Sequence, residues 1–387
     1  MSQGIYRRDC AIVGLGETQL GRRPGWTAVE IQAEAIMLAL ADAGIDKSEV
    51  DGLFNLGPYS EPAVMFAATL GEYLRIDATV QTSIDAGGIH SPMLMIEHAI
   101  AAVQSGQCKV AVCAFGEPSA TGKPVSGRGW TTTGRDIEFE EPFGIVGTVG
   151  PYAMLAARYM ALYGTTVDDL AGVALSARRH ALLNPNALMR KPLDMDTYLA
   201  SRMISDPLRL LDCSPMVDGG GAVVVTSLER ARDLPHPPVT LLGGAVRASH
   251  RNVGQFPDFD DLRLGDVTRR ALERAQLSLD DVDVAMLHDA FTISTIIFLE
   301  ELGFCGRGEA GAYIRAGNID LGGACPVNTH GGLLSQGHAG GMLHVVEAVR
   351  QLRGDCGARQ VEGAQISLLG GGGGLLGVNG VYLFGRP

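Results

Sequence analysis

The sequence predicts an α/β protein of two pseudo-symmetric halves, with a loop domain inserted between them. Three observations carry this reading. The run Ala39-Leu40-Ala41-Asp42-Ala43-Gly44-Ile45, with Val50-Asp51, lines up with Ala271-Leu272-Glu273-Arg274-Ala275-Gln276-Leu277 and Val282-Asp283 at one constant spacing. A second unit repeats as well: the helical segment 96–104, closing at Gly106, matches 344–352, closing at Gly354. An apolar strand follows each, at 110–115 and 365–369. Between the copies, 117–212 has no counterpart and carries glycine- and threonine-rich loops. Repetition of this kind marks duplicated supersecondary units that share a core. The expected organisation is 1–116 with 213–235 as one half, 117–212 as the insertion and 236–387 as the other half.

Each element follows from local pattern. Residues 10–14 read as a short apolar strand ending in Gly14-Leu15-Gly16-Glu17-Thr18, and the absence of a third glycine argues against a dinucleotide fingerprint. A helix over 28–43 stops at Gly44, a short turn covers 46–50, and a strand covers 52–56. In the insertion, helices are expected around 151–163 and 167–181, punctuated by Asn184-Pro185-Asn186 and Arg190-Lys191-Pro192. Arg178, Arg179, Arg190, Lys191 and Arg202 read either as a solvated face or as a partial phosphate-binding surface. Asp218-Gly219-Gly220-Gly221 leads into a strand at 222–226 that closes the first half.

Composition narrows the function classes. At 387 residues, 46% hydrophobic and 19% charged, the chain can bury a sizeable core. A net charge of −12 argues against a nucleic-acid surface. No apolar run reaches membrane-spanning length and no signal-peptide core opens the chain, so a cytoplasmic protein is expected. The seven cysteines form no CxxC pair, which predicts reduced thiols and no metal site.

The chemistry concentrates in the second half. Gly331-Gly332-Leu333-Leu334-Ser335-Gln336-Gly337-His338-Ala339-Gly340-Gly341 runs into an amphipathic segment in which Met342, Val345, Val346, Val349 and Leu352 recur at helical spacing. A histidine opening a helix has its cation disfavoured, so His338 is a candidate neutral base. By the repeat, Ile89-His90 and Gly337-His338 open equivalent helices. Packing of the halves about a local two-fold axis would make those helix ends converge on one active site.

Together these features resemble the thiolase superfamily, in particular its sterol-carrier-protein-x and lipid-transfer-protein branch. The markers are Tyr163-Gly164-Thr165-Thr166, Asp206-Pro207-Leu208, Cys213 with Asp218-Gly219, His288-Asp289-Ala290-Phe291, Pro326-Val327-Asn328 through Gly331-Gly332, Gly337-His338 and Gln351-Leu352-Arg353-Gly354. The resemblance implies a thiolase-like fold of two five-stranded αβ halves with an inserted loop domain. It also implies a homodimer and a CoA thioester as substrate, with no resident cofactor and no metal. In that family a cysteine opening the first-half helix becomes acylated, the residue matching His338 activates it, and the residue matching His288 holds the thioester oxygen.

That cysteine, and a second family cysteine that moves a proton near the C-terminal glycine loop, are both missing here. The nucleophile position falls at Ile89, and 366–369 carries no thiol, so an acyl-cysteine route is not expected. Similar members of the branch are retro-aldolases that cleave 3-hydroxyacyl-CoA side chains, together with a small OB-fold, zinc-ribbon partner. In the aldolases compared, tyrosines fill the positions of His288 and His338. The expected reaction is a retro-aldol cleavage, of a steroid or another side chain, with His338 and His288 sharing proton removal and enolate stabilisation. His90 serves as a supporting polar group or a helix-capping histidine, and Asp289 structures its loop. Expected substrate contacts are Ile89, Asn328, His330, Gly337, Gly371 and Gly372. The alternatives are a thiolase-like acyltransferase on a 3-ketoacyl-CoA and a non-catalytic acyl-CoA-binding scaffold.

Overall fold

Apolar runs punctuated by glycine fold into two sheets of matching connectivity. The computed structural model describes residues 6–60, 63–122, 138–145, 147–251, 254, 261–373 and 376–387. The first sheet is built from β1 (Cys10–Glu17), β2 (Gly52–Asn55), β3 (Val80–Ser83) and β4 (Val110–Pro118). The insertion holds a small ribbon of β5 (Met203–Ser205) and β6 (Leu208–Arg209), after which β7 (Asp218–Ser227) returns to the first sheet. Its order is β1-β7-β4-β2-β3. The second sheet is made of β8 (Thr240–Ala248), β9 (Val284–Leu287), β10 (Ile366–Gly373) and β11 (Val378–Gly385), in the order β8-β11-β10-β9. Strand for strand, β8, β11, β10 and β9 occupy the places of β1, β7, β4 and β2.

Where the first sheet has β3, the second has one isolated parallel bridge between Ala285 and Val327. The expected fifth strand is therefore reduced to a single bridge among the described residues. Pro326 precedes that bridge and Asn328, at φ 53, follows it, so the chain turns away before a ladder can form.

The helices are α1 (Ala28–Ala43), α2 (Phe66–Leu74), α3 (His90–Gln104), α4 (Val149–Tyr163), α5 (Val167–Leu182), α6 (Met195–Leu199), α7 (Leu228–Ala231), α8 (Leu264–Ala275), α9 (Thr292–Leu302), α10 (Ala310–Arg315) and α11 (Met342–Arg353). A capping box of Thr27 and Glu30 starts α1, and Gly44, at φ 66, ends it.

The sequence repeat has a direct packing meaning. A Cβ on Gly14 would lie 2.2 Å from the Ala39 carbonyl oxygen, and one on Gly243 would lie 2.5 Å from that of Ala271. These glycines let α1 and α8 lie against their sheets at the matching position of each half. Gly14-Leu15-Gly16 is thus a helix-packing device.

Three apolar layers result. One lies between α1 and the outer face of the first sheet. A second, between the sheets, is filled by Met93, Ile96 and Ile100 of α3 and by Val345, Val346 and Val349 of α11. The third covers the outer face of the second sheet, where Leu264, Val267 and Ala271 of α8 meet Ile293, Ile296 and Ile297 of α9. Tyr152, Leu155 and Tyr159 of α4, with Leu170 and Val173 of α5, enter this third layer. The insertion therefore shares the second half's core.

The basic run of the insertion is tied to protein groups. Arg178 is buried and donates to Ser335 Oγ (3.2 Å) and to the Lys191 carbonyl (2.9 Å), and burial lowers its pKa. Arg179 pairs with Asp320 at 2.7 Å, and Arg190 donates to the Pro185 carbonyl. Within the described residues, no helix is long and apolar enough to cross a membrane.

Candidate active site

The loops that follow β9, precede α3 and α11, and end β10 meet at one place. His288 is the first residue beyond β9, and its backbone is held on both sides. Its amide donates to the Gly370 carbonyl at 3.1 Å. The preceding residue, Leu287, is gripped by Asn328, whose Oδ1 accepts from the Leu287 amide (2.8 Å) while its Nδ2 donates to the Leu287 carbonyl (2.9 Å). Asn328 is 3% exposed and both ends of its amide engage Leu287, so the structure shows this expected substrate contact as a backbone support. Gly371, at φ 152, leaves room for the His288 side chain, since a Cβ there would lie 2.7 Å from that of His288.

His338 reaches the same place from a different kind of backbone. The expectation that it opens a helix does not hold, because α11 begins at Met342 and a π-turn occupies Gly332–Gln336. Between them His338 makes a strand-like contact: its amide donates to the Pro215 carbonyl (2.8 Å) in a parallel bridge with Met216. Gly337, at φ 129, makes this path possible, and a Cβ there would collide with Val217. Its role is steric.

The rings of His288 and His338 stand edge to face with centres 6.0 Å apart. His338 is partly exposed, and its Nδ1 lies 3.4 Å from Met216 Sδ. A thioether is a weak acceptor, so this contact locates the ring without dictating its tautomer.

Burial holds both imidazoles neutral. The His338 pKa is lowered to about 4, mainly by desolvation, with the Asp289 carboxylate opposing the shift and His344 adding to it. His288 is pushed well below the ordinary histidine value, first by desolvation and then by His338, His344 and His90. The helix dipole invoked from sequence is not the cause.

Behind this pair lies a second layer. His344, on α11, is fully buried, and its Nε2 donates to the Leu287 carbonyl at 2.8 Å and lies 3.4 Å from Asp289 Oδ1. Its ring is 6.1 Å from His288 and 4.8 Å from His330. Asp289 accepts the Leu333 (2.8 Å) and Leu334 (3.4 Å) amides of the π-turn, which agrees with the loop-structuring role expected of it. Sequence reading missed His344 as a site residue. It lies off the apolar stripe of α11 and is buried only because that helix is enclosed on every side.

The remaining predicted residues divide. His330 is buried behind His344 with both ring nitrogens unpartnered, and burial lowers its pKa strongly. His90 does open α3, but its ring is fully buried against Gly380 and 6.5 Å from Tyr382. Its pKa is lowered to about 4 by desolvation. Ile89 is fully buried and wedged on α11, since a Cβ on Gly341 would lie 2.5 Å from its Cα. The helix ends therefore converge, as the repeat implied. Gly372 packs against Asn379, and its carbonyl faces Gly88, where a Cβ would come within 2.9 Å of it.

No thiol takes the missing nucleophile's place. Cys113 lies inside β4, buried, with its pKa raised by desolvation. Cys213 forms a backbone bridge with Phe291, but its thiol points to the Arg209 carbonyl and burial raises its pKa to about 12. Neither supplies a thiolate near neutral pH.

Comparison with known proteins finds relatives over most of the chain. Residues 245–386 match the thiolase C-terminal domain-like family. The chain is 40% identical to the 17-hydroxy-3-oxo-4-pregnene-20-carboxyl-CoA lyase of Mycobacterium tuberculosis, covering 89% of this chain and 92% of that one. It is 37% identical to the steroid side-chain-cleaving aldolase of Thermomonospora curvata, covering 89% and 90% of the two chains. Among solved structures, the Ltp2-ChsH2(DUF35) aldolase superposes with a TM-score of 0.88 at 32% identity over 99% of both chains.

Proposed function

The chain belongs to the thiolase superfamily, and from that premise we propose that it is an acyl-CoA lyase that cleaves a 3-hydroxyacyl-CoA by a retro-aldol reaction. One observation carries the reading: two neutral imidazoles, His288 and His338, stand edge to face at 6.0 Å, while the position at which an acyl-cysteine enzyme needs its thiol is held by Ile89. In the proposed reaction one imidazole takes the proton of the 3-hydroxyl. The bond between the α- and β-carbons then breaks, releasing a ketone or aldehyde and leaving the thioester enolate. The second imidazole donates an N–H to the enolate oxygen, and the first returns its proton to the α-carbon. No free CoA is consumed.

The substrate class follows from the relatives. A 17-hydroxy-20-carboxyl-CoA steroid is itself a 3-hydroxyacyl-CoA whose β-carbon belongs to a ring, and we extend to this chain a bulky carbinol of that kind. We also propose a homodimer acting with a small DUF35-type partner, a component that the name of the similar aldolase structure includes.

The test is product analysis with matched 3-hydroxyacyl- and 3-ketoacyl-CoA substrates, with and without CoA and partner. CoA-independent release of a carbonyl product from the hydroxy substrate, lost in His338→Ala, is the expected result. CoA-dependent cleavage of the keto substrate would overturn the proposal in favour of thiolysis.

A further inference from the structure

Three buried imidazoles, His288, His344 and His330, carry ring nitrogens with no hydrogen-bond partner: Nδ1 of His288, Nδ1 of His344 and both nitrogens of His330. Buried polar atoms in folded proteins are satisfied as a rule, so such a cluster calls for an account. The tautomer of His344 is fixed by its surroundings. A carbonyl oxygen can only accept, so Nε2 of His344 carries the proton it gives to Leu287, with the Asp289 carboxylate 3.4 Å away favouring the same assignment. In the neutral ring, Nδ1 is then a lone pair and can only accept. The His330 ring, edge to face at 4.8 Å, walls His344 in.

Both neighbouring neutral rings, His330 and His288, carry one N–H, and of the two it is His288 that also stands beside His338. The Nδ1 of His288 is buried, and its ring centre lies 6.1 Å from that of His344, a span closed by one bridging water or by a modest turn of the rings. We propose that His344 is a positioning residue that sets the tautomer of His288: its Nδ1 accepts from His288 Nδ1–H, so His288 Nε2 is left bare toward the substrate.

This rests on the retro-aldolase reading and decides a point that reading leaves open. His288 becomes the group that takes the 3-hydroxyl proton, and His338 the donor to the thioester oxygen. The relay from Asp289 through His344 also supplies what a desolvated base lacks. When His288 accepts the proton, the cation it becomes stands against a ring whose Nε2 lies 3.4 Å from the Asp289 carboxylate, which is the orienting logic of acid–histidine pairs. Gly332 makes the arrangement possible, because at φ 60 it leaves space that a Cβ would take from Asp289 Oδ2.

The test reads the tautomer directly in substrate-free enzyme, by nitrogen-15 NMR of histidine-labelled protein, with the His288 signals assigned from their loss in His288→Gln. The expected wild-type pattern is a protonated Nδ1 and a bare Nε2. His344→Gln, which keeps a donor for Leu287 but has no acceptor at the δ position, should lose that pattern. It should also lower kcat by about 10–100-fold with little change in KM. His344→Asn, which keeps an acceptor oxygen at the δ position, should retain the tautomer. A His288 protonated at Nε2 in the wild type overturns the inference without need of any variant. So does a protonated Nδ1 that survives in His344→Gln. The expected tautomers without turnover of a hydroxyacyl-CoA would sink the aldolase reading alone, whereas turnover with the opposite tautomer would sink only this inference.

Discussion

The two helix entries related by the repeat, Ile89-His90 and Gly337-His338, have opposite fates. In the first half α3 begins at His90 itself, and both residues are packed away, Ile89 against Gly341 and His90 against Gly380. In the second half α11 begins four residues after His338, which instead bridges Met216, and the ring stands partly exposed beside His288. In the proposed reaction a duplicated fold thus carries chemistry in one copy and serves as a wall in the other. Symmetry of backbone does not imply symmetry of function.

The sharpest way to break this comparison is to remove imidazoles from both sides. His288→Ala and His338→Ala should each lower kcat/KM by about 10²–10⁴-fold on a 3-hydroxyacyl-CoA, the usual contribution of a general acid or base. A loss under tenfold in either would contradict the assignment of chemistry to the second half. Next in size is the contact that locks the halves together. Gly341→Ala places a methyl 2.5 Å from Ile89 Cα, where backbone cannot yield. A destabilisation of about 1–3 kcal/mol, seen as a lower midpoint in urea, is expected.

The third prediction concerns pH. His90 and His338 have folded-state pKa values lowered to about 4, against about 6.5 when unfolded. The unfolded chain therefore binds more protons between these values, so stability is fully present above about 6.5 and is lost as pH falls toward 4. The partly exposed His338 should contribute less than the fully buried His90. Urea midpoints measured across that window should fall, and His90→Phe should flatten the slope.

A smaller effect sharpens the contrast at the lost nucleophile. Ile89→Cys should yield no acyl-enzyme by intact mass spectrometry, because the position is fully buried and sealed by Gly341, where desolvation keeps a thiol protonated. Smallest of all, His90→Phe should leave kcat within about threefold. A large loss would return His90 to the reacting groups.

Much of this organisation was legible in the chain. The repeat of Ala39 and Ala271 was visible as sequence, and the reason it exists is the carbonyl that each presents to Gly14 or Gly243. Helix 28–43 was readable to the residue because Thr27, Glu30 and Gly44 are local signals acting within one or two turns. His288 and His338 were legible as candidate site residues through the motifs around them, and the structure brings their rings together.

What only the tertiary structure decided depends on distant contacts. Whether His338 opens a helix turns on Pro215 and Met216, more than a hundred residues away in sequence. Asn328 became a clamp on Leu287 because β9 passes beside it. His344 looked like a polar residue on an amphipathic helix, and became part of the site because both sheets and the π-turn enclose that helix. Local pattern fixes which segments are helix or strand, since those choices are made over a few residues. Which side chains meet, and which of them lose their water, is set by packing between segments, and that packing is where the chemistry of this protein arises.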